Sequence, residues 1–230
     1  MYIQHSSEIW RDFPELVPGV LFVEEIRADV AVDSQVATFN SIAEGRLATA
    51  TESELPEIQA WRRAFSKMGL KPTQYRCASE SLLRRFRKEK ALPQIHPLID
   101  LCNSISLAYA IPVAAIDVSQ ITDGIEVCYA SGSERYLAFS GEVEHPEDHE
   151  VIFADEAGQA HARRWTNRQS AHSAVRDTTS AVLIVAEAMH ASAAVDIERL
   201  VAALADELNG VWSVEPKTAM LSEPSRRFEF

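Results

Sequence analysis

Three groups of side chains in this 230-residue chain have the types and spacing to do chemistry. The first is the run Arg163-Arg164-Trp165-Thr166-Asn167-Arg168. Guanidinium groups grip a carboxylate or phosphate with two parallel hydrogen bonds, and an indole among them can stack on a ring or a base. If the run is a strand, alternate side chains point to opposite faces, so at most one of Arg163 and Arg164 faces any one cleft. The same residues equally suit a buried ion pair with Asp100, Asp117 or Asp155, with Trp165 filling core. The second group is Asp100 and Asn103, three residues apart and so on one face of a helix. Asn103 is as well suited to binding backbone as to touching a ligand. The third is a basic segment holding Arg62, Arg63, Lys67, Lys71, Arg76, Arg84, Arg85, Arg87, Lys88 and Lys90, opposed only by Glu80 and Glu89.

Other spacings imitate known sites without completing them. His145 and His149 are four apart, a metal-like interval on a helix, but Pro146 interrupts them and no third ligand is in view. No metal is expected. His172 lies near Ser170, Ser173 and Asp177, yet no sharp nucleophile turn accompanies them, so a surface loop is expected. There is no Gly-x-Gly-x-x-Gly, no phosphate loop, no Gly-x-Ser-x-Gly and no paired Cys-x-x-Cys, and no cofactor is expected. Cys77, Cys102 and Cys128 are odd in number and far apart, which reads as reduced and mostly buried thiols in a reducing compartment.

Net charge is -12, which by itself argues against a general nucleic-acid binder. The distribution says more than the sum. An acidic body with one basic stretch is the asymmetry of a protein that meets a polyanion with a single face; the alternative is a pair of solvated helix faces matched to acidic neighbours. The apolar stretches around Ala108–Ile116 and Ala181–Ala186 are too short to span a bilayer, and Met1–Asp12 lacks a signal-peptide pattern. The cytoplasm is the expected location.

These residues need elements to position them. The spacing predicts a strand over Val20–Ile26 and a loop over Ala43–Glu54. Ile58, Trp61, Phe65 and Met68 then line one face of a helix over Leu55–Met68, with Ser53 as a candidate cap and Gly69 as a stop. Further helices are expected over Ser79–Glu89 and Leu98–Tyr109. Short strands are expected at Pro112–Asp117, Glu126–Tyr129, Arg135–Phe139, Val151–Asp155, His161–Thr166 and Ala181–Glu187. Ile197, Leu200, Val201, Leu204 and Leu208 mark a final helix ending at Asn209-Gly210, and the tail adds at most one strand. This order is not a regular βαβ alternation. It predicts an α+β fold, a mixed sheet with packed helices, in one domain over residues 1–230.

Two stretches carry a family likeness. One runs Leu92-Pro93-Gln94-Ile95-His96-Pro97-Leu98-Ile99-Asp100-Leu101-Cys102-Asn103 and continues to Ile111-Pro112-Val113-Ala114-Ala115-Ile116-Asp117. The other is Ala162-Arg163-Arg164-Trp165-Thr166-Asn167-Arg168, followed by Arg176-Asp177-Thr178-Thr179. Together with Tyr75-Arg76 and the strand near Thr179–Leu183, they resemble the B3/B4 domain of the phenylalanyl-tRNA synthetase β subunit in its free-standing form, best supported over residues 72–187. The resemblance implies a cleft between two subdomains in which a tyrosine wrongly attached to tRNA is hydrolysed without a metal. It also implies where this chain departs. The family's editing histidine falls at Ala114, its arginine near Pro93 and its glutamate near Ala171. Alanine and proline cannot transfer a proton or orient a water.

The expected function is therefore recognition of tRNA or an aminoacyl-tRNA end, with ester hydrolysis in trans resting on substrate positioning and the tRNA's own hydroxyl. The expected substrate-binding residues are Asp100, Asn103, Arg163, Arg164, Trp165, Asn167 and Arg168. Arg62, Arg63, Lys67, Lys71, Arg76, Arg84, Arg85, Arg87 and Lys88 would meet the RNA. The alternative is a small-molecule binder for an amino-acid-like ligand that kept the fold and lost the chemistry. The chain is too short for a synthetase core and shows no ATP-binding motif.

Overall fold

The computed structural model describes all 230 residues. The elements in order are β1 (Tyr2–His5), α1 (Ser7–Asp12), β2 (Val17–Val23), α2 (Asp33–Thr49), α3 (Pro56–Lys67), α4 (Ala78–Glu89), α5 (Pro97–Tyr109), β3 (Val113–Asp117), β4 (Gly124–Tyr129), β5 (Tyr136–Leu137), β6 (Val143–Glu144), β7 (Val151–Asp155), β8 (Ala160–Arg163), β9 (Arg168–Gln169), β10 (Val182–Ala188), α6 (Ala193–Trp212), β11 (Lys217–Met220) and β12 (Arg227–Glu229). The strands form a six-stranded sheet in the order β12-β1-β4-β7-β8-β9, a four-stranded sheet β11-β2-β10-β3, and the small hairpin β5-β6. The six-stranded sheet is mixed, because β1 runs parallel to β4 while its other pairs are antiparallel. The fold is α+β, as the order of elements predicts.

The four-stranded sheet has a hydrophobic core on each face, and side-chain alternation divides its residues between them. Val20, Phe22, Leu183 and Val185 join the core that also holds Trp61, Phe65, Phe86 and Trp165. Leu21, Val23, Val182, Ile184 and Ala186 join the one beneath α5 and α6. That is why β10 reads as a continuous apolar run, and every residue of it is buried. Close packing of α6 on β2 depends on Gly19, where a Cβ would come within 2.6 Å of Ile197 Cγ2 and Val201 Cγ2.

The helices follow from local chemistry. In α3, Pro56 occupies the first turn, where its missing N–H costs nothing, and Ile58, Trp61 and Phe65 face the core. In α5, the His96 side chain accepts from the Leu98 N–H at 3.2 Å, Pro97 follows it, and Ala110 closes the helix with φ +57°.

Five expectations need correction. Ala43–Glu54 is not a loop: α2 runs to Thr49. Only Phe39 and Ala43 of α2 are buried, so the segment has no apolar stripe to read, and packing on α5 supplies its support. Ser53 does not cap α3. Thr51 and Glu54 instead form a reciprocal cap around a short 3₁₀ turn at Glu52–Glu54. Asn209-Gly210 does not end α6, which continues to Trp212. That side chain is buried, its indole donates to Arg27 O at 2.9 Å, and the helix closes at Ser213 with φ +58°. β8 ends at Arg163 rather than Thr166, since Arg164 and Trp165 take φ of +48° and +57°. The tail contributes two strands, β11 on the four-stranded sheet and β12 on the six-stranded one. No helix is long and apolar enough to cross a membrane.

Candidate functional site

The turn after β8 builds the centre of the site. Its two left-handed residues swing Trp165 off the strand and into the core, where the ring is fully buried. It meets Trp61 and Phe13 edge to face, with centroids 5.1 Å and 4.8 Å away. Its indole N–H donates to both carboxylate oxygens of Glu187, at 3.1 Å and 3.0 Å. Glu187 also faces His5 Nε2 at 2.7 Å, and its main-chain carbonyl accepts from Trp61 Nε1 at 3.2 Å. Glu187 is 2% exposed.

Glu187 lies at an open cleft between the six-stranded and four-stranded sheets. Val113, Ala114 and Phe153 give apolar wall, while Thr166, Asn167 and Gln169 bring polar groups. Two of these serve the frame: Asn167 Nδ2 donates to Arg76 O and Gln169 Nε2 to Ala115 O, both at 2.7 Å. Thr166 Oγ1 is buried without a partner, and the Thr166 carbonyl accepts from the Ala78 N–H at the start of α4. Tyr75, Arg76 and α4 are thereby held beside the Trp165 segment.

The arginines are already engaged. Arg163 Nε and Nη2 donate to the two oxygens of Glu150, each at 2.8 Å, and Nη1 donates to Glu144 at 2.6 Å. Arg168 holds Glu144 with two hydrogen bonds, at 2.9 Å and 3.0 Å. Arg164 lies over the Tyr75 ring, 4.8 Å from its centroid, while its backbone N–H donates to Glu150. Burial alone would raise the Glu150 pKa, but the hydrogen bonds from Arg163 and the Glu147 N–H outweigh it and hold the carboxyl below its ordinary value. The guanidinium of Arg168, bonded to Glu144, does the same there. The alternative ion-pair partners of the sequence reading are occupied elsewhere. Asp100 accepts from Ile95 N–H, Asp117 from Ser119 and Thr179, and Asp155 from the N–H groups of Thr122, Ala157 and Gln159.

Asp100 and Asn103 do not join the arginine run. They line a separate cleft with Asp33, Asn40 and Gln94. The reason is topological: α5 belongs to the core on the opposite face of the four-stranded sheet from Trp165. Of the three positions where the family resemblance places editing groups, Ala114 lines the Trp165 cleft and Pro93 lines this other one.

The basic segment is largely matched by acids. Arg62 and Arg76 reach Glu80 at 2.6 Å and 3.4 Å; Arg84 and Arg87 reach Glu52 at 3.1 Å and 3.0 Å; Arg85 pairs with Glu89 at 2.9 Å. Lys67 is bonded to the carbonyl of Asp12 and sits over the Phe13 ring. Arg63, Lys71, Lys88 and Lys90 are exposed and make no ion pair.

The weaker motifs resolve simply. His145 bonds to Glu134 O, and His149 is an exposed loop residue with φ +62°. Ser173 pairs not with His172 but with His161, at 2.8 Å, and both are fully buried, out of reach of any substrate. Burial raises the thiol of Cys77 to about 11 and those of Cys102 and Cys128 to about 12, so none is a thiolate near neutrality.

Comparison with known proteins adds one decisive match. The family model described as the B3/4 domain covers residues 60–204. The chain belongs to the B3/4 domain family. Among solved structures, it is similar to an N-terminal fragment of the phenylalanyl-tRNA synthetase beta-subunit from Pyrococcus horikoshii, at 10% identity and a TM-score of 0.48. That likeness takes in 96% of this chain and 54% of the fragment, so the chain spans about half the fragment's length. No curated protein sequence matches. The B3/4 match includes the Trp165 segment and the strand that carries Glu187, but not His5. Glu187 and His5 were missed in the sequence. Glu187 had a signal, a lone carboxylate inside an apolar strand; His5 had none.

Proposed function

We propose that this B3/4 domain holds the aminoacyl end of a charged tRNA in the Trp165 cleft. The observation that carries the reading is the cleft itself: apolar walls from Val113, Ala114 and Phe153, with the Glu187 carboxylate among them to meet an ammonium group. Tyr75, Arg76 and the start of α4 lie beside this segment, and the unpaired Arg63 on α3, Lys71 in the following turn, and Lys88 and Lys90 at the end of α4 would meet phosphates. Proton transfer at Ala114 is ruled out by its side chain. Any ester cleavage would depend on how the substrate is held and on the tRNA's own hydroxyl.

A second reading is favoured by the pairing of five basic-segment arginines with Glu52, Glu80 and Glu89. Matched charges release few counterions, so a free amino acid or similar small molecule could be the whole ligand. The two readings separate in one experiment. The purified chain is incubated with a panel of correctly and wrongly charged tRNAs, following ester loss against the spontaneous rate and binding at two salt concentrations. Salt-sensitive binding of charged over uncharged tRNA supports the first reading, with or without turnover. Binding of free amino acids alone, indifferent to salt, replaces it with the second.

A further inference from the structure

Apart from the Trp165 cleft, Glu57, His190 and Asp196 each bring one ligand atom to within 4.8 Å of the others. They come from three places in the chain. Glu57 is in the first turn of α3, His190 follows β10, and Asp196 is in the first turn of α6. Glu57 and His190 are 7% and 6% exposed. Glu57 Oε1 accepts from Arg46 Nη2 at 2.7 Å, while its Oε2 is buried and bonded to nothing. Asp196 Oδ2 accepts from Ser192 Oγ at 2.6 Å and faces His190 Nε2 at 2.9 Å, while His190 Nδ1 is buried and bonded to nothing. Glu57 Oε2 is thus a buried acceptor with no donor, which costs free energy until a donor or a cation meets it.

We propose that Glu57, His190 and Asp196 form a binding site for a divalent transition metal of the zinc type. One imidazole with carboxylate oxygens suits Zn²⁺, Co²⁺ or Ni²⁺ better than Mg²⁺ or Ca²⁺, which prefer oxygen alone. Metal–ligand bonds of about 2.0–2.2 Å place neighbouring ligand atoms about 3–4 Å apart, so modest side-chain rotation closes the cluster on an ion. Arg46 offsets one of the two carboxylate charges and leaves the site net negative. The ion would tie α3 to the turn between β10 and α6. Trp61, one turn along α3 from Glu57, already reaches the main chain of Glu187, three residues before His190. A metal here would brace the same contact that positions the cleft carboxylate.

The test uses the full chain, stripped with a chelator, then titrated with ZnCl₂ by calorimetry and with CoCl₂ by visible absorption. One ion per chain and a Co²⁺ d–d band are expected. Glu57→Gln and Asp196→Asn should each weaken binding by about tenfold or more. His149→Ala, at an exposed histidine outside the cluster, should leave it unchanged. Far-UV circular dichroism in chelator identifies variants that fold, and Asp196→Asn, at a partly exposed position and of equal size, serves if Glu57→Gln does not. No saturable uptake by the unaltered chain, or uptake that survives Asp196→Asn in full, would overturn the assignment.

Discussion

Arg163 is nearly buried and surrounded by acids, and at such a position geometry decides whether charge stabilises or destabilises. Removing it by Arg163→Ala leaves Glu150 buried and uncompensated, which should cost about 3–5 kcal/mol in urea unfolding. The same pairing sets an acid limit. Glu144, Glu150 and Asp155 all have lowered pKa values in the folded chain. The stability they add is complete above the ordinary carboxylate values, 4.5 for Glu and 3.8 for Asp, and is lost as pH falls through their folded values. The urea midpoint should therefore fall as pH drops below about 4.5, and Arg163→Met should flatten that fall. A midpoint as acid-sensitive in Arg163→Met as in the unaltered chain would count against this pairing as its source. In the cleft, Glu187→Gln keeps the volume and an oxygen for the Trp165 indole but removes the charge. If Glu187 meets an ammonium, binding of an amino acid or aminoacyl-tRNA should weaken by about tenfold, roughly 1.4 kcal/mol. Unchanged affinity in the folded variant would remove Glu187 from the ligand contacts.

At the scale of elements, the contact of α6 with β2 depends on a single residue, Gly19. A methyl at Gly19 would overlap two branched side chains on α6. Gly19→Ala should destabilise by about 1–3 kcal/mol in thermal or urea unfolding, with Ile197→Ala in the same chain restoring part of the loss by making room. No such rescue would mean that the helix shifts freely. The periodic elements were legible: α3, α5, α6 and the apolar strands β3, β7 and β10 lie within a few residues of their expected places. The failures share a cause. α2 has no apolar stripe, and β1 and β12 are short, so each exists because a neighbour pairs or packs with it.

For the whole molecule, the two ends of the chain close on each other. Met1 donates to Phe230 O at 2.9 Å, and β1 pairs with β12 across the register Tyr2–Glu229 to Gln4–Arg227. If residues 1–230 are one cooperative unit, near-ultraviolet and far-ultraviolet signals should unfold at the same urea concentration, and loss of Ser222–Phe230 should lower both together. Two separated transitions would instead mean that the sheets unfold independently. The charge map makes its own prediction for RNA. With Arg63, Lys71, Lys88 and Lys90 as the cations available to phosphate, the slope of log affinity against log salt should be about −3 to −4. A much steeper slope would require the ion pairs at Glu52 and Glu80 to open on binding.

By itself, the sequence determined the class of fold and the family likeness, because apolar periodicity and short motifs such as Pro112–Asp117 and Arg163–Arg168 are local properties of the chain. It also determined that Ala114, Pro93 and Ala171 cannot transfer protons, since that follows from side-chain type alone. Only the tertiary structure decided which polar groups meet. It sent Asp100 and Asn103 to the far side of the four-stranded sheet, turned Arg163 and Arg168 onto Glu144 and Glu150, and matched much of the basic segment with acids. It also joined His5, Trp165 and Glu187, residues up to 182 positions apart, at one cleft. Charge pairing and cleft formation depend on distances between strands remote in sequence, and those distances are set by sheet order and packing.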